Sequence, residues 1–183
     1  MSFHVLALTG SLRSGSSNTG LIMMAQRLAP SGLQVEFYPA IGHLPFYNAD
    51  LDQPGVEPDP VVAFRAAVRA TDAVLLATPE YNGHLPAVLK NAFDWVSKPN
   101  GAHALTGKVI TSMSSAGGGG GGAVLKYLNT VLPYFGNTVV AEPAIELRKG
   151  AEYVSAEGLS TDATVEALVT ERLGNLLAAL EAR

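Results

Sequence analysis

Gly10-Ser11-Leu12-Arg13-Ser14-Gly15-Ser16-Ser17-Asn18 leaves an apolar run and enters a helical pattern. Its backbone N–H groups and the positive end of a helix dipole would therefore converge on an anion. Ser11, Ser16, Ser17 and Asn18 add short neutral donors, and Arg13 adds a permanent charge with a planar donor fork. That set suits a phosphate monoester better than a carboxylate. The competing reading is a polar turn capped by Asn18, with Arg13 in solvent. The segment is neither a GxGxxG dinucleotide fingerprint nor a P-loop ending in GK[ST].

Two further segments could face a ligand. In Thr78-Pro79-Glu80-Tyr81-Asn82-Gly83-His84-Leu85-Pro86, Tyr81 can present its ring to a planar heterocycle. Backbone groups around Asn82 and Gly83 can bond the polar edge of that heterocycle, and Pro86 suits the first turn of the next helix. An ordinary proline-bounded turn is the alternative. The third segment is Ser114-Ser115-Ala116 followed by six glycines, Gly117 to Gly122. Ordering such a run costs conformational entropy. Either its backbone approaches a flat ligand closely and uses positive φ, or it is a mobile linker; its place beside the expected crevice favours the first.

The chain has no cysteine, which excludes disulfides, thiolate nucleophiles, zinc–thiolate sites and iron–sulfur clusters. Its four histidines, His4, His43, His84 and His103, are far apart in sequence, so no metal site is expected. Redox chemistry would have to come from a bound cofactor. A net charge of −4 without a basic run argues against nucleic acid as a partner. The apolar runs are too short for membrane insertion, and Met1-Ser2-Phe3-His4 does not open a secretory signal, so a cytoplasmic protein is expected.

These loops need a frame, and 183 residues suffice for a single domain over 1–183 with a substantial core. Phe3 to Thr9, Ala73 to Thr78 and Val109 to Met113 are short apolar runs, as in strands buried on both faces. Leu33 to Tyr38 alternates apolar and polar residues, which suits an edge strand, and a fifth strand is expected near Thr138 to Ala141. Between them, apolar faces at helical spacing run through Leu21 to Ala29, Val61 to Val68, Leu89 to Val96, Val124 to Phe135 and Val165 to Leu180, with Gly136 placed to end the fourth. Met23, Met24 and Trp95 read as packing residues.

The alternation predicts a three-layer α/β sandwich: a five-stranded parallel sheet in order 2-1-3-4-5 with helices on both faces. Ligands of such sheets bind beyond the carboxyl ends of the strands where the order reverses, and all three polar segments follow strands there. Pro39 to Asp59 and Glu142 to Ser160 show no clear period and are expected to be functional or mobile loops.

In GSLRSGSSN at Gly10 to Asn18, TPEYNGHLPAVLKNAFDWVSKP at Thr78 to Pro99 and the serine–glycine loop near Ser114, the chain resembles the NAD(P)H-dependent FMN reductases of the flavodoxin-like superfamily, a group that includes bacterial quinone and chromate reductases. The likeness covers most of the chain. It implies that Ser11, Arg13, Ser16, Ser17 and Asn18 bind the FMN phosphate, that Pro79, Glu80, Tyr81 and Asn82 border the isoalloxazine, and that Ser114 or Ser115, with Gly117, supports its other side. Family members usually carry bulkier residues between fewer glycines, so the contacts of the third loop depart from the pattern.

The resemblance also implies an oxidoreductase taking hydride from NADPH or NADH and reducing a small-molecule acceptor of the quinone, flavin, azo or chromate type, with ping-pong kinetics. The flavin carries the reaction, so no side chain is assigned as catalytic. A homodimer or homotetramer is implied, with Glu80, Tyr81, Phe46 and Tyr47 as interface candidates, although Phe46 and Tyr47 equally suit covering the sheet edge. Lys126, Arg148 and Lys149 could attract NADPH phosphates, but solvated surface is the favoured reading. The alternatives are a flavodoxin-type electron carrier and a cofactor-free regulatory protein of the same fold.

Overall fold

β1 (Phe3–Thr9) and β3 (Ala73–Ala77) are apolar along most of their length because both of their faces are covered, and β4 (Val109–Ala116) is equally buried although half of its residues are Ser or Thr. The computed structural model describes residues 2–98 and 103–183; Met1 and Pro99, the last residue of the second motif, lie outside the described residues. β2 (Leu33–Phe37) pairs with the outer side of β1, and β5 (Thr138–Val140) with the start of β4. All pairs are parallel, and the order is β2-β1-β3-β4-β5, as the strand–helix alternation predicts.

Because side chains alternate across a strand, the sheet separates two cores. Leu6, Leu8, Val74, Leu76 and Ile110 meet α2 (Asp59–Arg69), α3 (Ala87–Val96) and α4 (Gly122–Val131) on one face. Val5, Ala7, Leu75, Ala77 and Met113 meet α1 (Ser17–Leu28) and α5 (Ala163–Glu181) on the other. Trp95 is fully buried in the first core; its Nε1–H donates to the Pro45 carbonyl at 2.7 Å, and the Tyr47 ring packs edge-on at 4.9 Å. Phe46, its neighbour, stands 81% exposed. Among the described residues no helix is long and apolar enough to cross a membrane.

Three details depart from the sequence reading. A sixth strand, β6 (Glu146–Arg148), pairs with Ser114–Ala116 of β4, beyond the reach of β5. Three residues are too few to show a period, and the pairing follows from β4 running three residues further than its apolar stretch. The fourth helix stops at Val131 and gives way to a 3₁₀ turn over Leu132–Phe135, since Pro133 has no N–H to continue the helical bonds; Gly136 closes the turn at φ 73°. Ser16, not Asn18, caps α1.

A buried arginine ties the last helix to the sheet. Arg172 of α5 donates to Thr111 Oγ1 and the Ser112 carbonyl at 2.9 Å, to the Ala141 carbonyl at 2.6 Å, and to the Pro143 carbonyl. Burial pulls its pKa down to about 10, so it remains charged near neutrality. This knot holds the chain between β5 and β6 against the first half of β4.

Candidate functional site

The strand order reverses between β1 and β3, and a cleft of about 350 Å³ opens at their carboxyl ends. One wall is the loop from β1 to α1. Gly10 is required at its start: a Cβ there would lie 2.2 Å from Thr78 Oγ1, so only glycine lets the loop leave β1 alongside β3. Ser16 Oγ then accepts from the Asn18 N–H at 3.2 Å, and α1 begins with its free N–H groups facing the cleft.

Ser17 and Asn18 reach across to β4. Asn18 Nδ2 donates to the Ser115 carbonyl at 2.7 Å while the Ser115 N–H donates to Asn18 Oδ1 at 2.9 Å, and the Ser17 and Ser115 hydroxyls lie 2.7 Å apart. Both residues line the cleft, yet their side-chain polar groups are already engaged in joining its two walls. Ser11, Ser16 and Arg13 complete the wall. Arg13 is exposed, and among the described residues no carboxylate pairs with it. Its Nη1 lies so close over Gly15 that a Cβ there would sit 3.2 Å away.

The loop after β3 forms the rim. Pro79 and Tyr81 line the cleft, and Tyr81 is 53% exposed. Tyr81 and His84 exchange both backbone hydrogen bonds at 3.0 Å around Asn82 and Gly83, whose φ values are 51° and 76°. That is a type I′ hairpin turn, and Asn-Gly is the dipeptide it favours; a turn is the alternative reading of this segment from sequence, with its type unnamed. The structure places Asn82 at the exposed tip of this turn, outside the cleft lining. Glu80 also stands outside the lining: its Oε2 accepts from the N–H groups of Ala123 and Val124 at 3.0 and 3.2 Å, capping α4.

The third segment divides in two. Ser115 and Gly117 line the cleft, whereas Ser114 is fully buried and its hydroxyl points to Gly121. A Cβ on Gly121 would fall 1.8 Å from Ser114 Oγ, and Gly120 and Gly121 adopt φ of 70° and 94°. Glycine is therefore required at 120 and 121 by backbone and packing alone. A Cβ on Gly117 or Gly118 would meet nothing within 4 Å, so that half leaves open space beside the cleft.

Lys149, Ala151 and Glu152 complete the lining, and Lys149 is one of the three basic residues read from sequence as favouring solvent. They arrive because Gly150 presses against β4, where a Cβ would come within 2.3 Å of Ser115 Oγ. The following turn packs on α1: a Cβ on Gly20 would lie 1.9 Å from the Ser155 carbonyl oxygen. No local period marks this segment, and β6 before it is too short to show one, so the sequence carries no signal that these residues reach the cleft.

This donor set fits a flavin mononucleotide. Short hydroxyls, helix N–H groups and Arg13 come together on the β1–α1 wall, as a phosphate requires. A rim of Pro79, Tyr81 and Gly117 offers aromatic and backbone surface suited to a flat ring.

Comparison with known proteins agrees. Residues 3–152 match the family model described as NADPH-dependent FMN reductase. The chain is 35% identical over 170 residues to the NAD(P)H-dependent FMN reductase PA1204 of Pseudomonas aeruginosa, covering 92% of this chain and 90% of that protein. It is 37% identical over 142 residues to the quinone reductase of Escherichia coli K12, covering 76% and 74%. The solved structure of the flavoenzyme NAD(P)H:(acceptor) oxidoreductase FerB from Paracoccus denitrificans superposes with a TM-score of 0.88 at 30% identity, over 98% of each chain. On its sequence, its sheet order and its cleft, this chain belongs to the NADPH-dependent FMN reductase family.

Proposed function

We propose that the protein binds FMN in the cleft between the β1–α1 loop and the Lys149–Glu152 segment, takes hydride from NADPH or NADH, and reduces a quinone-type acceptor. Free flavins, azo compounds and chromate are further acceptors of the same two-electron chemistry. The observation that carries this reading is the meeting, at one switch point, of Arg13 and the α1 N-terminus with the Pro79–Tyr81 rim. Relatives named for FMN reduction and quinone reduction support it.

Bound FMN would supply the hydride acceptor and the store for the electron pair. The chain's own part is to bind and orient. Arg13, Ser11, Ser16 and the α1 N–H groups would hold the phosphate. Ser17 and Asn18, through Ser115, keep the phosphate wall and the ring wall in register. Tyr81 and Pro79 would border the ring from one side, with Gly117 leaving space on the other for donor and acceptor in turn. Glu80 would act at a distance, by fixing the rim to α4. Of the remaining candidates, Asn82 would shape the turn and Ser114 the glycine run.

Phe46 and Tyr81 are exposed aromatics, which supports a homodimer or homotetramer that covers them. Light scattering on the purified protein tests this. A cytoplasmic location accords with the chain's composition and with its dependence on NADPH or NADH.

The deciding experiment identifies the flavin by absorbance and mass after denaturation, then mixes the holoprotein anaerobically with NADPH and NADH in a stopped-flow instrument. Flavin bleaching, with recovery on adding a benzoquinone, is the expected result. A yellow protein that neither nucleotide bleaches would be an electron carrier. A colourless protein without thermal shift on adding FMN would sink the flavin reading.

A further inference from the structure

Two residues other than glycine adopt positive φ among the described residues, Asn82 and Lys149. The I′ turn explains Asn82. No hairpin explains Lys149, whose φ is 50° and which lines the same cleft as the β1–α1 loop. Its N–H donates to the carbonyls of Ala116 at 2.7 Å and Gly117 at 3.2 Å, so its backbone is pinned to the end of β4. Glycine would occupy this conformation without penalty, and the chain places glycine at many other left-handed positions. A lysine kept there at a conformational cost suggests that its charge is used.

The charges around it suggest for what. Lys149 Nζ lies 3.6 Å from Glu152 Oε1, and both side chains are about two-thirds exposed, at 66% and 69%. Such a pair is weak and readily exchanged. On the same cleft lining the α1 loop offers one full positive charge, Arg13. A phosphate monoester carries about −1.5 to −2 at neutral pH. Arg13 alone leaves part of that charge unbalanced, and Glu152 on the lining adds repulsion.

We propose that Lys149 is a second phosphate-binding cation of the flavin site, resting on Glu152 and transferring to the phosphate when the nucleotide enters. The inference rests on the FMN reading above and extends it to a residue outside the three motifs. The transfer exchanges one exposed ion pair for a charge-assisted hydrogen bond to a more highly charged partner, which favours the bound state. Glu152 then serves as the resting partner, and its charge opposes binding.

The test titrates the full-length protein, freed of flavin, with FMN and with riboflavin, following flavin fluorescence. Lys149→Met should weaken FMN about tenfold and leave riboflavin unchanged within about twofold. Lys149→Arg should restore most of the FMN affinity. Glu152→Gln should tighten FMN by about twofold to threefold, and that gain should shrink in the Lys149→Met background, where only the direct repulsion is relieved. Lys149→Gly separates strain from charge: it should raise the thermal midpoint while weakening FMN.

Equal weakening of both ligands by Lys149→Met, or no weakening of either, overturns the proposal. So does an unchanged FMN affinity with a KM raised for NADPH but not for NADH, which would assign the charge to the dinucleotide. If Arg13→Ala discriminates FMN from riboflavin and Lys149→Met does not, the flavin reading stands and this inference alone falls. If the unmodified protein binds neither flavin, both fall.

Discussion

On the phosphate side of the cleft, Ser16, Ser17 and Asn18 are all buried and hydrogen-bonded within the protein, two of them to Ser115. On the ring side, Tyr81 to His84 stand exposed, held by a two-residue turn and by the Glu80 carboxylate on α4. The first wall is organised before any ligand arrives. The second is a rim whose outward surface is free for a ligand or a subunit to cover. Phosphate recognition calls for fixed N–H groups, whereas a site that takes donor and acceptor in turn benefits from an open side, and the two walls divide accordingly.

The comparison can be broken or sharpened by substitution. The largest effect is expected within the glycine run between β4 and α4. Gly121→Ala meets Ser114 and a left-handed φ, and should cost about 3 kcal/mol or more in denaturant unfolding. Next is the phosphate wall itself. Asn18→Ala leaves the buried N–H and carbonyl of Ser115 unpaired and should cost about 2–3 kcal/mol, while Tyr81→Ala on the rim should stay within about 0.5 kcal/mol. Equal losses at the two positions would refute the contrast.

Arg13→Ala should leave unfolding nearly unchanged but weaken FMN by about 1.5–3 kcal/mol in a binding titration, without affecting riboflavin. Glu80→Ala removes an exposed helix cap and should lower stability by about 1 kcal/mol, with Glu80→Gln between it and the native protein. The smallest change is at Gly118→Ala, where a Cβ meets nothing and φ is not positive; stability should hold or rise by about 0.5 kcal/mol, seen in the thermal midpoint.

Most of the fold was legible in the sequence because burial on both faces writes itself into local composition. Phe3 to Thr9 and Ala73 to Thr78 could hardly be anything but central strands, and the alternating Leu33 to Tyr38 matched the edge. The exceptions have local causes. β6 is three residues long and holds one buried residue, Leu147, so it has no period to detect. Pro133 lay inside an apolar pattern that continued past it, and the pattern concealed the break. At the cleft, the segments were legible from their polar, glycine-rich composition, but the duties of Glu80, Asn82 and Ser114 were not, because composition does not say which way a side chain turns.

By itself, the sequence determined the strand and helix alternation, the place of the three polar loops beyond the strand ends, and the Asn82-Gly83 turn, since each depends on residues near one another in the chain. Only the tertiary structure decided that Asn18 joins Ser115 across 97 positions, that Gly120 and Gly121 answer to packing while Gly117 and Gly118 leave space, and that Lys149 enters the cleft. Local patterns record how deeply a residue is buried. They carry no record of which distant residue it meets, because that is set by how the strands order and how closely the backbones approach.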